Sequence, residues 1–438
     1  MGNSHSDIPT TVDVLKNEKT RPKSTKPDTV NVAQLLYEHV NCFSEQLAFI
    51  DKKPPHLPEP ELIELANRTK QLVAEEEMVL HLEPPVHVIG PLYGHYLSLW
   101  RMLNVAGYPP SPSNQLIFLG NYASRGPNCL LVITVVMALK IRYPKHVHLL
   151  RGPHDCVDGA HEYGLYYDTL RQSSPTYTED TVTAIIEMYE QLPLAAHVAH
   201  RVLCIAGGPS IHLFSSPKST ERQSSKDDDD DRVNGNVTEQ MIRFPLRPRE
   251  DRPNLLQKIR MIKRPLRLDP EVDQLAFDLL HSVPDESELA FLGTRLADQG
   301  VRRFGPAAVK WFAYSASFDL MIRSSQVLED GFLLWPDKNI LSIMSAIRLN
   351  GVFSNAAAIV YIPLSLQCVI KKIMYRSRDD EETSRYGASI EDSEEEESTS
   401  QESSDDSGSG SAEKKSTKKD SKENGEETEE KEDEKDEK

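Results

Sequence analysis

The sequence predicts a mixed α/β domain carried between polar, disordered ends. Two observations predict it. Four short apolar segments each run into glycine, and stretches with helical periodicity separate them. Outside that region apolar residues become scarce at both termini, leaving too little to offset the entropy of ordering the chain.

Residues 1–30 are polar, with several prolines and lysines, and are expected to be disordered. They begin Met-Gly-Asn-Ser-His-Ser, which fits a myristoylation pattern with Gly2 as acceptor and Ser6 at the favoured position. Lys16, Lys19, Arg21, Lys23 and Lys26 would supply the second signal that a lone acyl chain needs. A chance match is the alternative reading, so membrane association is expected only if Gly2 is acylated.

The folded domain is expected over residues 31–376. Val32, Leu35, Leu36 and Val40 recur at helical spacing, and a second helix is expected from Pro60 to Val79. The four strands are Val86-His-Val-Ile-Gly90, Leu116-Ile-Phe-Leu-Gly120, Val147-His-Leu-Leu-Arg-Gly152 and Val202-Leu-Cys-Ile-Ala-Gly-Gly208. Strands alternating with helices imply a sheet covered on both faces, with functional groups on the loops beyond the strand ends. The longest apolar run, Cys129 to Leu139, is about half the ~20 residues of a bilayer span and reads as a buried helix. Residues 214–252, rich in Ser, Lys, Asp and Arg, read as a flexible surface insertion. Regular structure resumes near Leu255 and runs to about Met374.

The chain carries a formal net charge of −18, but it is concentrated. Residues 379–438 hold 25 acidic and 9 basic side chains, a balance of −16, so residues 377–438 read as an acidic disordered tail. Ser393, set among acids, suits an acid-directed kinase; a purely solubilising tail is the alternative. The near-neutral remainder gives no basic footprint for nucleic acid. Five widely spaced cysteines with no CxxC pair argue for reduced thiols, hence a cytoplasmic or nuclear protein. His146 and His148 share one strand face, an arrangement that suits a metal or simply a place in the sheet.

The segment Phe118-Leu-Gly-Asn-Tyr-Ala-Ser-Arg-Gly126, followed by Leu149-Leu-Arg-Gly-Pro-His-Asp155, resembles the FLGDYVDRG and LLRGNHE motifs of PPP-family metallophosphatases. Gly90-Pro-Leu-Tyr-Gly94 sits where that family has GDxHG, and Ala206-Gly-Gly208 where it has HGG. Ile259-Arg-Met-Ile-Lys-Arg-Pro265, Asp278-Leu-Leu280, Gln326-Val-Leu-Glu-Asp-Gly331 and Ser354-Asn-Ala356 resemble the type-1 serine/threonine phosphatase catalytic subunit. The likeness runs from about Val30 to Met374. It implies the metallophosphatase (calcineurin-like phosphoesterase) fold, a β-sandwich flanked by helices.

In that family two divalent metals, manganese, iron or zinc, polarise a phosphoryl oxygen and activate water. The resemblance places their ligands at Pro91, Tyr93, Asn121, Pro153, Ala206 and Ser325, and none is the family's residue. No bound metal and no cofactor is therefore expected. His154 holds the position of the family's proton donor and Arg125 that of a phosphate-clamping arginine. The aspartate that orients the histidine has become Ser124, a second arginine Gln299, and the active-site tyrosine Leu349. His154 and Arg125 read as remnants kept for packing, or for residual phosphate binding.

The resemblance also implies a hydrophobic groove, remote from the metals, for extended peptides of the RVxF kind. Its positions fall on Val202, Leu320, Leu334, Val360, Leu366, Cys368 and Ile370, all apolar. Asp319 keeps an acidic rim position, and another has become Ala199. A core-filling role would preserve the same pattern. The expected function is a catalytically inactive phosphatase-like protein that binds regulatory proteins with RVxF-like motifs, in competition with the active enzyme. Residual metal-dependent hydrolysis, and a scaffold acting through tail and insertion, are the alternatives.

Overall fold

A computed structural model describes residues 30–47, 53–171, 175–213, 255–269, 272–286, 291–292, 301–324, 326–335, 337–349 and 353–374. Gly2 with the rest of the N-terminal extension up to residue 29, the 214–252 insertion, the 377–438 tail, Gln299 and Ser325 lie outside them.

Helix α1 (Val32–Leu47) forms as its periodicity dictates, burying Val32, Leu35, Leu36, Val40 and Phe43. Helix α2 (Glu59–Ala74) has proline in its first turn and an acid at its positive end. The Glu59 carboxylate accepts hydrogen bonds from Thr178 N (2.6 Å) and from the Thr178 and Thr181 hydroxyls (both 2.8 Å), docking α2 on the start of α7 (Glu179–Tyr189). The expectation that this helix reaches Val79 is corrected: it ends at Ala74, and Val79–Leu82 forms strand β1. Glu75, Glu76 and Glu77 would stack three negative charges on the helix's negative end, so the chain leaves the helix there.

Two sheets pack face to face. One has the order β14-β13-β2-β3-β4, in which β2 (Val86–Ile89), β3 (Gln115–Phe118) and β4 (Val147–Leu149) run parallel, and β13 (Ala357–Ile362) and β14 (Val369–Ile373) continue it antiparallel. The other has the order β1-β5-β6-β10-β12-β11, built from β1, β5 (Ala195–Val198), β6 (Val202–Ile205), β10 (Leu320–Arg323), β12 (Ile340–Ile343) and β11 (Phe332–Leu334). A small third sheet holds β7 (Val283–Pro284), β9 (Arg303–Phe304) and β8 (Phe291–Leu292).

The single sheet expected from the four glycine-ended segments is thus two: β2, β3 and β4 share one, while β6 belongs to the other. Side-chain alternation explains it. Val86, Val88, Ile117, Leu119, Val360 and Ile362 meet Ala196, Val198, Cys204, Ile322, Leu341 and Ile343 between the sheets. The intervening residues face outwards into helices. Ile89, Leu116, Phe118, Val147 and Leu149 pack under α1, α2, α3 (Tyr96–Ala106), α4 (Cys129–Arg142) and α7. Val79, Ala195, Leu203, Ile205, Met321 and Ile340 pack under α8 (Leu255–Arg260), α9 (Gln274–His281) and α10 (Pro306–Ala316). Strands β2, β4, β5, β6 and β12 are buried on both sides, while β11 and β14 at the sheet edges are partly exposed.

The apolar run at Cys129 is the buried helix α4, whose residues 129–140 are all buried. Lys140 sits at its inner end, ion-paired with Glu76 and donating to the Pro144 and Val147 carbonyls at 3.1 and 2.9 Å, so its ammonium is satisfied without water. No helix among the described residues is long and apolar enough to cross a membrane. All five cysteines are free thiols.

Candidate functional site

The loops leaving β2, β3, β4, β6 and β10 converge, and glycine permits the approach. Gly120, at φ +88°, lies so close to the β4 loop that a Cβ there would stand 2.0 Å from Gly152 N. The Leu92 and Tyr93 amides donate to Asn121 O at 3.3 and 2.9 Å, and Ser345 N donates to Pro91 O at 3.2 Å. Ser324 N donates to Ala206 O at 3.1 Å.

Asp155 is the hub of this cluster. It is fully buried, and its carboxylate accepts from Asn121 N and Gly152 N at 2.8 Å each and from Tyr122 N at 3.2 Å. Both of its oxygens are thereby committed to backbone amides of the β3 and β4 loops. Burial lifts the carboxyl to about 6, against the pull of the three amides and of Arg151.

Asn121 is held at φ +55°, buried, with Oδ1 accepting from His154 N at 2.9 Å and Nδ2 3.5 Å from the Tyr93 hydroxyl. Tyr93 also has positive φ and fills the space beneath it, its phenol pushed up to about 12 by burial. Pro91, Pro153 and Ala206 are buried beside them and present no side-chain donor. Below them Arg323 is fully buried, donating from Nε to Gly207 O at 2.7 Å and from Nη1 to Gln326 Oε1 at 2.9 Å and Ser342 Oγ at 3.3 Å.

His154 and Arg125 do come together, on either account of their role. The His154 ring stacks on Tyr163 with centroids 4.3 Å apart, and the exposed Arg125 guanidinium lies 4.5 Å over the same tyrosine ring. His154 Nδ1 is 3.0 Å from Ser124 Oγ. Burial first, then the charge of Arg125 and the proximity of His281, push the imidazole down to about 3. At neutral pH the ring is therefore mainly neutral, with little proton to donate.

The profile of the calcineurin-like phosphoesterase family matches residues 84–323, more than half of the chain and the loops leaving β2, β3, β4 and β6. This chain belongs to the calcineurin-like phosphoesterase family. A protein serine/threonine phosphatase from Saccharomyces cerevisiae, itself described as similar to human phosphatase PP5, superimposes with a TM-score of 0.60 over 78% of this chain and 96% of that one. The two are 16% identical, so the likeness is one of fold. Within this phosphoesterase fold the β-sandwich flanked by helices is the architecture anticipated from the motifs.

His146 and His148 remain separate from that cluster. His148 is buried in β4 with Nε2 3.4 Å from Gln115 Oε1, and His146 contributes its carbonyl to Leu116 N at 2.8 Å. Leu349 is buried beside Tyr93, Met344 and Ala346.

The residues assigned to a peptide groove lie at another part of the sandwich. Val202 and Val360 are buried between the sheets, and Leu320, Leu366, Cys368 and Ile370 pack against the same cluster from its margin. Leu334 stands apart from that cluster, exposed on the edge strand β11. Leu366, Cys368 and Ile370 are half-buried while Gln367 and Val369 between them are exposed; Leu366, at φ +62°, closes a turn on Pro363 O, and the strand begins only at Val369. Strand β14 is the last in its sheet, with no described strand on its outer side. Asp319 is exposed and ion-paired with Arg201.

Sequence reasoning missed Asp155, Tyr163 and Arg323. Asp155 had a usable signal, an acid three residues after the third strand's glycine. An arginine closing the apolar Leu320-Met-Ile-Arg323 run was a weaker one, and nothing in the sequence marked Tyr163.

Proposed function

We propose that this phosphoesterase-fold chain is a PPP-type relative of the type-1 branch that no longer hydrolyses phosphoesters and acts by binding extended, RVxF-like segments of regulatory proteins. One observation carries the reading. The described donors at the strand ends do not fit a pair of divalent cations. Pro91, Pro153 and Ala206 have no side-chain donor, Asn121 Oδ1 is held by a backbone amide, and Asp155 is consumed by three. Hard divalent ions need several oxygen or imidazole ligands with free lone pairs. A buried guanidinium, Arg323, beneath the loops adds a charge of the wrong sign.

Peptide binding is supported by the second region. An unpartnered edge strand supplies main-chain donors and acceptors, and the half-buried Leu366, Cys368 and Ile370 beside it offer an apolar floor, which together suit β-augmentation. The Arg201–Asp319 pair occupies the acid that a basic peptide residue would seek, so affinity is expected to be modest.

The test is anisotropy of a labelled RVxF peptide titrated with the full-length protein, alongside a manganese-supplemented phosphopeptide hydrolysis assay. Saturable binding lost in Leu366→Asp, with no turnover, is expected. Turnover abolished by His154→Ala, or binding indifferent to Leu366→Asp, would refute the reading.

A further inference from the structure

We propose that His81, His197 and His200 form a metal site of their own, taking one zinc-class divalent ion through three imidazoles with a fourth position left to water. The site lies on the outer face of the six-stranded sheet and uses none of the loop residues described above.

Register puts the first two histidines together. His81 on the edge strand β1 is the direct partner of His197 on β5. Both point outwards, since Leu80, Ala196 and Val198 on either side of them face the sandwich interior. The third arrives by a turn. Arg201 N donates to Val198 O at 2.9 Å, closing a turn whose central residues, Ala199 and His200, have φ of +47° and +53°. Both angles are those of a type I′ turn, which favours Asn or Asp followed by Gly. Alanine and histidine occupy it here against that preference, and the result returns His200 to the same face. The ring centroids are 5.9, 5.1 and 5.2 Å apart, and one ligand atom from each ring lies within 4.8 Å of the others.

A second observation points to a ligand. His197 is 2% exposed, yet neither of its ring nitrogens has a completed hydrogen bond; the Ser317 backbone approaches without supplying one. A buried imidazole with both nitrogens idle is costly, and a metal bond would satisfy one of them. Burial, reinforced by the two neighbouring histidines, holds His197 at about 4, and burial also lowers His81, so both rings offer lone pairs at neutral pH.

Three imidazoles and no thiolate suit zinc, cobalt(II) or copper(II) over magnesium or calcium. Metal–nitrogen bonds of about 2.0–2.1 Å in a tetrahedron set the nitrogens about 3.3 Å apart, so the rings must close inwards by roughly 1.5 Å at most. Binding must also contend with Arg260, which ends α8 and donates to His81 Nε2. A neutral imidazole has a single ring lone pair, and Arg260 takes that of His81, so the metal must displace the guanidinium. Glu77, 4.0 Å from Arg260 Nε, is placed to receive it.

Cobalt(II) titrated into the full-length protein gives the test, read by visible ligand-field absorption and by displacement with zinc. One equivalent with tetrahedral bands is expected, weakened at least about tenfold in His81→Gln and in His200→Gly. The second variant suits the turn better than the native residue, so loss of binding there cannot be ascribed to misfolding. Arg260→Gln is expected to bind as well or more tightly. Absence of the bands, bands that survive His200→Gly, or weaker binding in Arg260→Gln would overturn the proposal.

Discussion

His154 Nδ1 and Ser124 Oγ meet at 3.0 Å, a hydroxyl beside an imidazole whose basic neighbours among the described residues are Arg125 and His281. A hydroxyl cannot stabilise the imidazolium as a carboxylate would, and burial then dominates, leaving the ring near 3.

Ser124→Asp should therefore raise the proton affinity of His154 tenfold or more, about 1.4 kcal/mol, in an imidazole NMR titration. On the proposed reading this variant still gives no phosphoester hydrolysis, because Pro91, Pro153 and Ala206 offer no side-chain donor to a metal. An unchanged titration would show that something other than the lost anion holds the ring neutral.

Acid should unfold this protein steeply. Burial depresses His39 and His148 to about 3 and His281 to about 4. In the unfolded chain each binds a proton below about 6.5, while in the folded chain it does not. The unfolded state thus gains protons first, and stability present above pH 6.5 is lost as pH falls, by about 1.4 kcal/mol per histidine per pH unit. The urea midpoint should drop from pH 7 to 5 and drop less in His148→Gln. A flat midpoint would contradict this.

The fold was legible because β2, β3, β4 and β6 are apolar runs leading to glycine, and because α1 and α4 carry strong periodicity or an unbroken apolar run. What escaped has physical reasons. β1 is four residues, too short to show against the preceding helix, and the split into two sheets depends on alternation among residues that are all apolar. At the site, Pro91, Tyr93, Asn121, Pro153 and Ala206 could be named from the sequence through the motif resemblance. The role of Asp155 could not, because a carboxylate that binds three amides looks in sequence like one that binds a metal.

Gly120→Ala should be severely destabilising, by about 3 kcal/mol or more, since both the positive φ and the 2.0 Å approach to Gly152 N forbid a side chain. Chemical denaturation measures it. A loss below about 1 kcal/mol would mean that the β3 and β4 loops can separate freely.

Arg201→Ala should strengthen binding of a basic RVxF-like peptide several-fold by releasing Asp319. The gain should shrink in high salt, as expected for exposed charges. Equal affinities at low salt would remove Asp319 from the peptide's path.

The central claim concerns the loops themselves, and anomalous diffraction from crystals of the full-length protein soaked in manganese tests it most directly. The expected map has no manganese among the loops around Asn121, His154 and Ala206. Two peaks about 3.5–4 Å apart between Asn121 and His154 would restore the dinuclear centre and with it the case for an enzyme.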